Sequence, residues 1–270
     1  MISIITPAYN SASFLRSCVE SVAQQWQEEV EHWIIDGGST DGTVELLNEL
    51  SSEFPHLRWI SEKDRGQSHA MNKGIERCRG EVISFLNADD FYEPGAIDKA
   101  IRFFKTAPAG SFLVGDCRVL KEDGSMYMMN RPYPFDPVNF ILDYTFPFNP
   151  SAYFYHKNLH NSLGLYDESD HLTMDIDFIF RLFGNANIRY IPEVLGNYVM
   201  VETSKTMQEI SAGRNVENLL KVFARYEPKL GFSVRLRLAF LRRLGKNRGW
   251  IQFYLQNPAT LLRKLLGIKS

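Results

Sequence analysis

Val82-Ile83-Ser84-Phe85-Leu86-Asn87-Ala88-Asp89-Asp90 is the stretch whose reading decides the fold. A short, nearly continuous apolar run reads as a strand buried on both faces, which is what a parallel sheet between two helical layers requires. It stops abruptly at polar and acidic residues. Three upstream runs behave alike: Ile2–Thr6, His32–Asp36 and Leu57–Ser61 are each followed by a cluster of turn residues. Between them the apolar period changes from strand to helix. Phe14, Leu15, Cys18, Val19 and Val22 recur at helical spacing, with Asn10, Ser11 or Ser13 as the expected N-cap. Thr40-Asp41-Gly42-Thr43 opens a helix carrying Val44, Leu47 and Leu50. Another helix is expected over Gln67–Arg77, and Pro94 starts one over Gly95–Phe104. Successive strand–helix units predict an α/β fold with a mostly parallel central sheet flanked by helices.

The pattern changes after about residue 110. Phe112–Leu120 and Met126–Asn130 flank Lys121-Glu122-Asp123-Gly124-Ser125 and read as a hairpin. A strand near Ala152–Tyr155, helices near His156–Leu163 and Asp175–Phe183, a strand at Val194–Val201 and a helix over 207–226 complete the expectation. Residues 1–110 and 111–227 form the two halves of one body, and 228–270 form an appendage.

Composition narrows the class. With 44% hydrophobic and 23% charged residues in a chain of 270, a sizeable core is available and disorder is disfavoured. No apolar run approaches the ~18 residues of a membrane span. The opening Met-Ile-Ser-Ile-Ile has no basic region typical of a signal peptide. Cys18, Cys78 and Cys117 form no close pair, which argues against disulfides and zinc and for a cytoplasmic setting. The net charge of −2 hides a split: residues 228–270 hold ten of the 30 Lys and Arg and none of the 32 Asp and Glu. The body is therefore acidic and the tail basic.

In a parallel sheet, ligands bind beyond the carboxyl ends of the strands. Thr6, Pro7, Tyr9 and Asn10 follow the first strand, Asp36-Gly37-Gly38-Ser39 the second, Glu62, Asp64, Arg65 and Gly66 the third, and Asn87-Ala88-Asp89-Asp90 the fourth. Adjacent carboxylates repel unless a cation joins them, and Mg²⁺ or Mn²⁺ suits such oxygen ligands. A solvated turn or helix cap explains the same pair equally simply, and Asp36 also reads as a turn former. Farther on, Asp177 lies four residues before Arg181, an ion-pair spacing on a helix. Asp175 has only a capping explanation, which makes it the better catalytic candidate.

Five motifs in order resemble the family 2 glycosyltransferases: Ser3–Asn10, Ile35–Thr43, Ser61–Gly74, Phe85–Ala96 and Met174–Leu182. The resemblance covers residues 1 to about 206. It implies a GT-A fold, a Rossmann-like nucleotide-diphospho-sugar transferase architecture, acting by inversion with a divalent metal, Mg²⁺ or Mn²⁺. Thr6, Pro7 and Tyr9 would line the nucleobase pocket. Asp36 would accept the base N3–H, favouring uracil or thymine over guanine. Asp64, Asn72 and Lys73 would help hold the base, diphosphate or sugar, and Asp89 the ribose or sugar. Asp90 would bind the metal, and Asp175 would act as general base on an acceptor hydroxyl. The implied partners are a nucleoside-diphosphate sugar, UDP-linked by the Asp36 reading, and a saccharide or lipid-linked acceptor in polysaccharide or glycolipid synthesis.

Two features depart from the family pattern. Val199-Met200-Val201 precedes Ser204-Lys205-Thr206 where relatives often have Arg-x-His, which implies weaker, water-mediated or substituted metal contacts. His69 stands where an Asp is common. A non-catalytic nucleotide-sugar binder or assembly scaffold is thus the rival from another class. A nucleotidyltransferase is weaker, because Pro7-Ala8-Tyr9-Asn10 is not a Gly-rich triphosphate loop.

The tail also has a helical period. Arg235, Arg242, Arg243 and Lys246 share one arc; Val234, Leu236, Leu238, Phe240, Leu241 and Leu244 share the other. Asn257-Pro258 opens a second segment. Two readings stand: docking at the anionic inner face of a membrane, or packing of the apolar arc on the acidic body. Nucleic acid is not expected, since no binding motif accompanies the charge.

Overall fold

The computed structural model describes residues 1–170, 172–202, 204, 206–208 and 215–245. Four strands form the parallel part of the sheet: β1 (Ile2–Ala8), β2 (Val30–Asp36), β3 (Leu57–Ser61) and β4 (Val82–Phe85). Four helices follow them in turn: α1 (Leu15–Ala23), α2 (Thr43–Glu53), α3 (Gln67–Arg77) and α4 (Ala96–Phe104). The two-residue strand β5 (Phe91–Tyr92) precedes α4. The second half adds β6 (Ser111–Lys121), β7 (Met126–Asn130), β8 (Tyr153–His156) and β9 (Asn187–Met200). Its helices are α5 (Pro137–Asp143), α6 (Leu159–Leu163), α7 (Met174–Leu182), α8 (Asn215–Tyr226) and α9 (Phe232–Gly245).

Among the described residues all the strands join one sheet, ordered β3-β2-β1-β4-β8-β6-β9-β5, with β7 beside β6. β1 to β4 run parallel, and β8 turns the direction by pairing antiparallel with both β4 and β6. The sheet separates two apolar layers through the strand period of two. Ile5, Ile83 and Phe85 face a cluster supplied by α3 and α5 to α9, including Met71, Phe140, Leu159, Phe178, Phe223 and Leu238. Ile2, Ile4 and Val82 face Cys18 and Val22 of α1 and Ile97 and Ile101 of α4. Ala8 and Ile34 face α1 and α2. Gly74 lets α3 lie directly on β1: a Cβ there would stand 2.3 Å from Ile5 Cγ2.

Several local expectations need correction. None of Asn10, Ser11 or Ser13 caps α1 through its side chain; Phe14 occupies that position. The Ser11 carbonyl accepts from the Phe14 and Leu15 amides at 3.0 Å instead, and Asn10 Oδ1 is engaged by the Thr40 amide. β9 starts at Asn187, seven residues before the expected Val194, and β5 was not expected at all. Both exist because β9 pairs with β6 along its length and with Phe91 and Tyr92 near its end. Residues 209–214, part of the expected 207–226 helix, lie outside the described residues, as does the segment after Asn257-Pro258.

The apolar arc of α9 is divided, not continuous. Leu238 is fully buried, and Val234 and Leu241 pack on the core, whereas Leu236 and Phe240 face outward. No described helix is long and apolar enough to cross a membrane. The three cysteines are free and buried.

Candidate active site

Beyond the carboxyl ends of β1 to β4 lies a cavity of about 740 Å³. Pro7 and Tyr9 contribute from the first strand end, Gly37 and Gly38 from the second, Lys63 and Asp64 from the third, and Asn87, Ala88 and Asp89 from the fourth. Tyr198, Val201, Ser204 and Thr206 close it from the second half.

The loops are tied before any ligand arrives. The Asn10 amide donates to Ser39 Oγ at 2.7 Å, Ser11 N to Thr43 Oγ1 at 2.9 Å and Ala12 N to Asp41 at 3.1 Å. Asn10 adopts a left-handed φ of 51°, which Asn tolerates better than most residues. Gly37 is required for a different reason: a Cβ would stand 2.5 Å from the Asp64 carboxylate. That carboxylate also accepts from the Gly66 amide at 2.8 Å, fixing its place on the cavity wall.

The structure brings Pro7, Tyr9, Asp64 and Asp89 to this cavity. Thr6, Asp36, Asn72 and Lys73 are spent elsewhere. Thr6 is buried, with its hydroxyl 2.9 Å from His32 Nε2. Asp36 is buried beneath the turn it shapes, accepting from the Gly38 and Ser39 amides at 3.0 Å and from the hydroxyls of Ser39 and Ser61. Asn72 clamps the loop before α7, bonding the Tyr166 carbonyl and amide at 2.9 and 3.0 Å. Lys73 Nζ lies 3.1 Å from both the Lys63 carbonyl and Glu62. His69 Nδ1 accepts from the Arg65 amide at 3.0 Å, a local role.

Lys63, Gln67 and Tyr198 also line the cavity, beyond the residues expected from the sequence. Lys63 and Gln67 lie in the Ser61–Gly74 stretch beside Asp64, and that adjacency is their sequence signal. Tyr198 had none, since its place depends on the long pairing of β9 with β6.

Asp89 and Asp90 diverge sharply despite being neighbours. Asp90 is turned into the protein: one oxygen accepts from the Val199 amide at 3.0 Å, and the other from Asn87 and Asn149 side chains at 2.9 and 2.6 Å. It does not line the cavity. Burial, then the Asp89 charge, raises its carboxyl well above the ordinary range. Asp89 is half-buried and has no side-chain hydrogen bond to another described residue. It faces both the main cavity and an adjoining hollow of about 540 Å³, and desolvation raises its carboxyl too.

A divalent cation fits this donor set if substrate phosphates complete its shell. Among the described residues no three His, Cys, Asp or Glu side chains converge on a point. With both Asp90 oxygens occupied, Asp89 is the carboxylate of that pair left available, and Mg²⁺ or Mn²⁺ commonly combines one or two carboxylates with substrate phosphates.

A second contrast stands at the start of α7. Asp177 accepts from Arg225 at 2.9 Å and Tyr226 at 2.8 Å and pairs with Arg181 at 3.1 Å. Among the described residues the Asp175 side chain accepts from backbone amides alone, that of Ile176 at 2.8 Å, and it lines neither the main cavity nor the adjoining hollow. It lies in the first helical turn, where the dipole favours a carboxylate. Desolvation outweighs that and pushes its carboxyl up to about 6, with the Asp170 charge adding to the rise. Beneath α7, His160 stacks on Phe178 with ring centres 4.7 Å apart, and Tyr155 bonds both His160 and Tyr166. The loop before α7 is held to cavity-lining α3 by Asn72 and by Ser68, whose hydroxyl donates to the Asp170 carbonyl at 2.6 Å.

Sheet order, strand-end cavity and flanking helices together define a GT-A fold, and solved structures agree. The chain superposes on Staphylococcus aureus TarS with a TM-score of 0.67 at 17% identity, over 90% of this chain and 43% of that one. The TarS 1–349 complex with UDP-GlcNAc gives a TM-score of 0.67 at 16% identity, over 88% and 71%. The sequence profile of glycosyl transferase family 2 matches residues 3–164, and the chain belongs to that family. Chondroitin synthase from Escherichia coli is 39% identical over 105 residues, which span 39% of this chain but 15% of that protein. A PGL/p-HBAD biosynthesis glycosyltransferase from Mycobacterium bovis is 28% identical over 202 residues, 73% of this chain and 76% of the relative.

Proposed function

We propose that this chain transfers a sugar, with inversion, from a UDP-linked donor to an acceptor hydroxyl in polysaccharide or glycolipid synthesis. The observation that carries the reading is the state of two carboxyls. Among the described residues, Asp89 stands on the cavity wall with no side-chain partner, and the Asp175 carboxylate accepts from backbone amides alone.

In this reading Tyr9, 64% exposed at the cavity rim, offers its ring to the nucleobase. Pro7 and Gly38 line the base end, and Asp64 and Lys63 the sugar and phosphates. Asp36 supports the same end by holding the Gly38–Ser39 turn, and Asn72 and Lys73 support it through the loops they tie. Asp89, not Asp90, presents the carboxylate that would hold Mg²⁺ or Mn²⁺; Asp90 fixes the turn that aims it. When bound, such an ion offsets the negative charge that develops on the leaving diphosphate.

Asp175 takes the proton from the acceptor hydroxyl as its oxygen bonds to the anomeric carbon and the carbon–phosphate-oxygen bond breaks. A carboxyl near 6 is ionised at neutral pH yet basic enough to accept that proton. One displacement inverts the anomeric centre. Support comes from a solved TarS structure bound to UDP-GlcNAc, from the Pyrobaculum calidifontis mannosyltransferase structure with GDP-Man and Mn²⁺, and from family membership. Calorimetry against a panel of UDP-, GDP- and TDP-sugars, with and without Mn²⁺, tests the donor. Binding of UDP-sugars strengthened by the metal is expected; absence of binding by any nucleotide sugar would remove the reading.

A further inference from the structure

The C-terminal helix α9 uses one face and leaves another bare. Val234, Leu238 and Leu241 turn inward, with Leu238 fully buried against the body. Phe232, Leu236 and Phe240 recur every four residues and so form a second line on the same helix. They are 73%, 59% and 61% exposed, which for side chains of this size is a large apolar surface left in water.

Charge accompanies that line. Arg242 is engaged by Glu227 through two hydrogen bonds at 2.6 and 2.8 Å. Arg235, Arg237 and Arg243 are exposed and have no carboxylate partner among the described residues. At 100° per residue, Arg243 falls within the apolar line, Arg235 to one side of it and Arg237 to the other. Nothing acidic occurs from residue 228 to 270, and six further Lys and Arg lie in that segment beside Arg235, Arg237, Arg242 and Arg243.

We infer that this face of α9 docks on an anionic lipid surface. Aromatic and leucine side chains would enter the headgroup boundary while the arginines meet phosphate oxygens, the combination that holds an interfacial helix. A second copy of the chain would bring the same cationic face against itself, which charge opposes. A neutral partner would leave the arginines without a role.

The location adds meaning. α8 carries the Arg225 and Tyr226 that grip Asp177 on α7, and α9 follows α8 and packs its apolar face on the same core. The helix that carries the docking face thus shares a core with the helix bearing Asp175. The docking itself does not depend on the proposed reaction.

Flotation of the full chain with vesicles tests it, comparing phosphatidylcholine containing a quarter phosphatidylglycerol with pure phosphatidylcholine. At least tenfold stronger association with the anionic vesicles is expected, weakening as salt rises. The Phe232→Ser, Leu236→Ser, Phe240→Ser triple variant is expected to lose at least tenfold in association. Arg235→Gln, Arg237→Gln, Arg243→Gln is expected to do the same on anionic vesicles alone. Because all six side chains are exposed, melting temperature and nucleotide-sugar binding should not move, and this separates failed docking from failed folding. The inference is overturned if the wild-type chain does not associate, if the serine variant associates as the wild type does, or if the wild type forms a dimer that the serine variant abolishes.

Discussion

The turn at Asp89-Asp90 and the start of α7 at Asp175 and Asp177 present the same arrangement twice. In each region one carboxylate is spent on architecture and the other is left available. Asp90 joins three chain segments, through Val199, Asn87 and Asn149. Asp177 likewise joins α7 to α8 through Arg225 and Tyr226, while pairing with Arg181 on its own helix. Asp89 and Asp175 are held in place by these neighbours and are raised by desolvation. The difference within each pair is the useful lesson. A reactive carboxyl must be short of partners, and something adjacent must fix it without neutralising it.

The largest effect expected from breaking this arrangement falls on turnover. Asp175→Ala should lower the transfer rate by roughly 10³-fold, within the range for a general base, while UDP-sugar binding stays within about twofold. Single-turnover assays and calorimetry on one sample make that separation. Asp89→Asn should cost about 10²-fold in turnover and weaken the response to added Mn²⁺, measured by titrating metal into chelator-treated protein. An equal loss of metal response in both variants would erase the distinction drawn between the two carboxyls.

Architectural carboxylates should respond in stability first. Asp177→Ala leaves Arg181 without its ion pair and is expected to cost ~3 kcal/mol in denaturant unfolding. Asp90→Ala leaves several buried donors unpaired and should cost a similar ~3 kcal/mol. Tyr9→Ala, with an exposed ring, should leave stability unchanged and weaken donor binding about tenfold, equivalent to ~1.4 kcal/mol.

Stability should also depend on pH with a definite sign. The folded Asp175 carboxyl, at about 6, binds its proton more tightly than an unfolded Asp at ~3.9. As pH rises through that window the folded state loses up to ~1–3 kcal/mol relative to the unfolded chain. Asp175→Asn removes this penalty. Its unfolding midpoint should therefore exceed the wild type near pH 8, the sign expected where a site holds a carboxylate at a cost in stability.

Local pattern made much of the fold legible. Leu57–Ser61 and Gln67–Arg77 carry their period within themselves, and the structure begins and ends both at those residues. β5 and the first part of β9 were not legible, because pairing between distant strands creates them and register shifts interrupt it near Asp116. For the site, the strand-end position of Tyr9, Asp64 and Asp89 follows from chain order. Which polar side chain turns inward does not. Thr6 and Asp36 look like binding residues until His32, Ser39 and Ser61 are placed beside them. Asp177 was the reverse case: its spacing to Arg181 marks it as structural from the sequence alone.

The pH dependence of kcat/KM for transfer tests the central claim most directly, since it asks whether one carboxyl near 6 must lose its proton. A rise with unit slope to a plateau above about pH 6 is expected for the wild type, with that rise absent from the residual rate of Asp175→Asn. A profile that is flat from about pH 5 to 8, or an Asp175→Asn chain with wild-type turnover, contradicts Asp175 as the base.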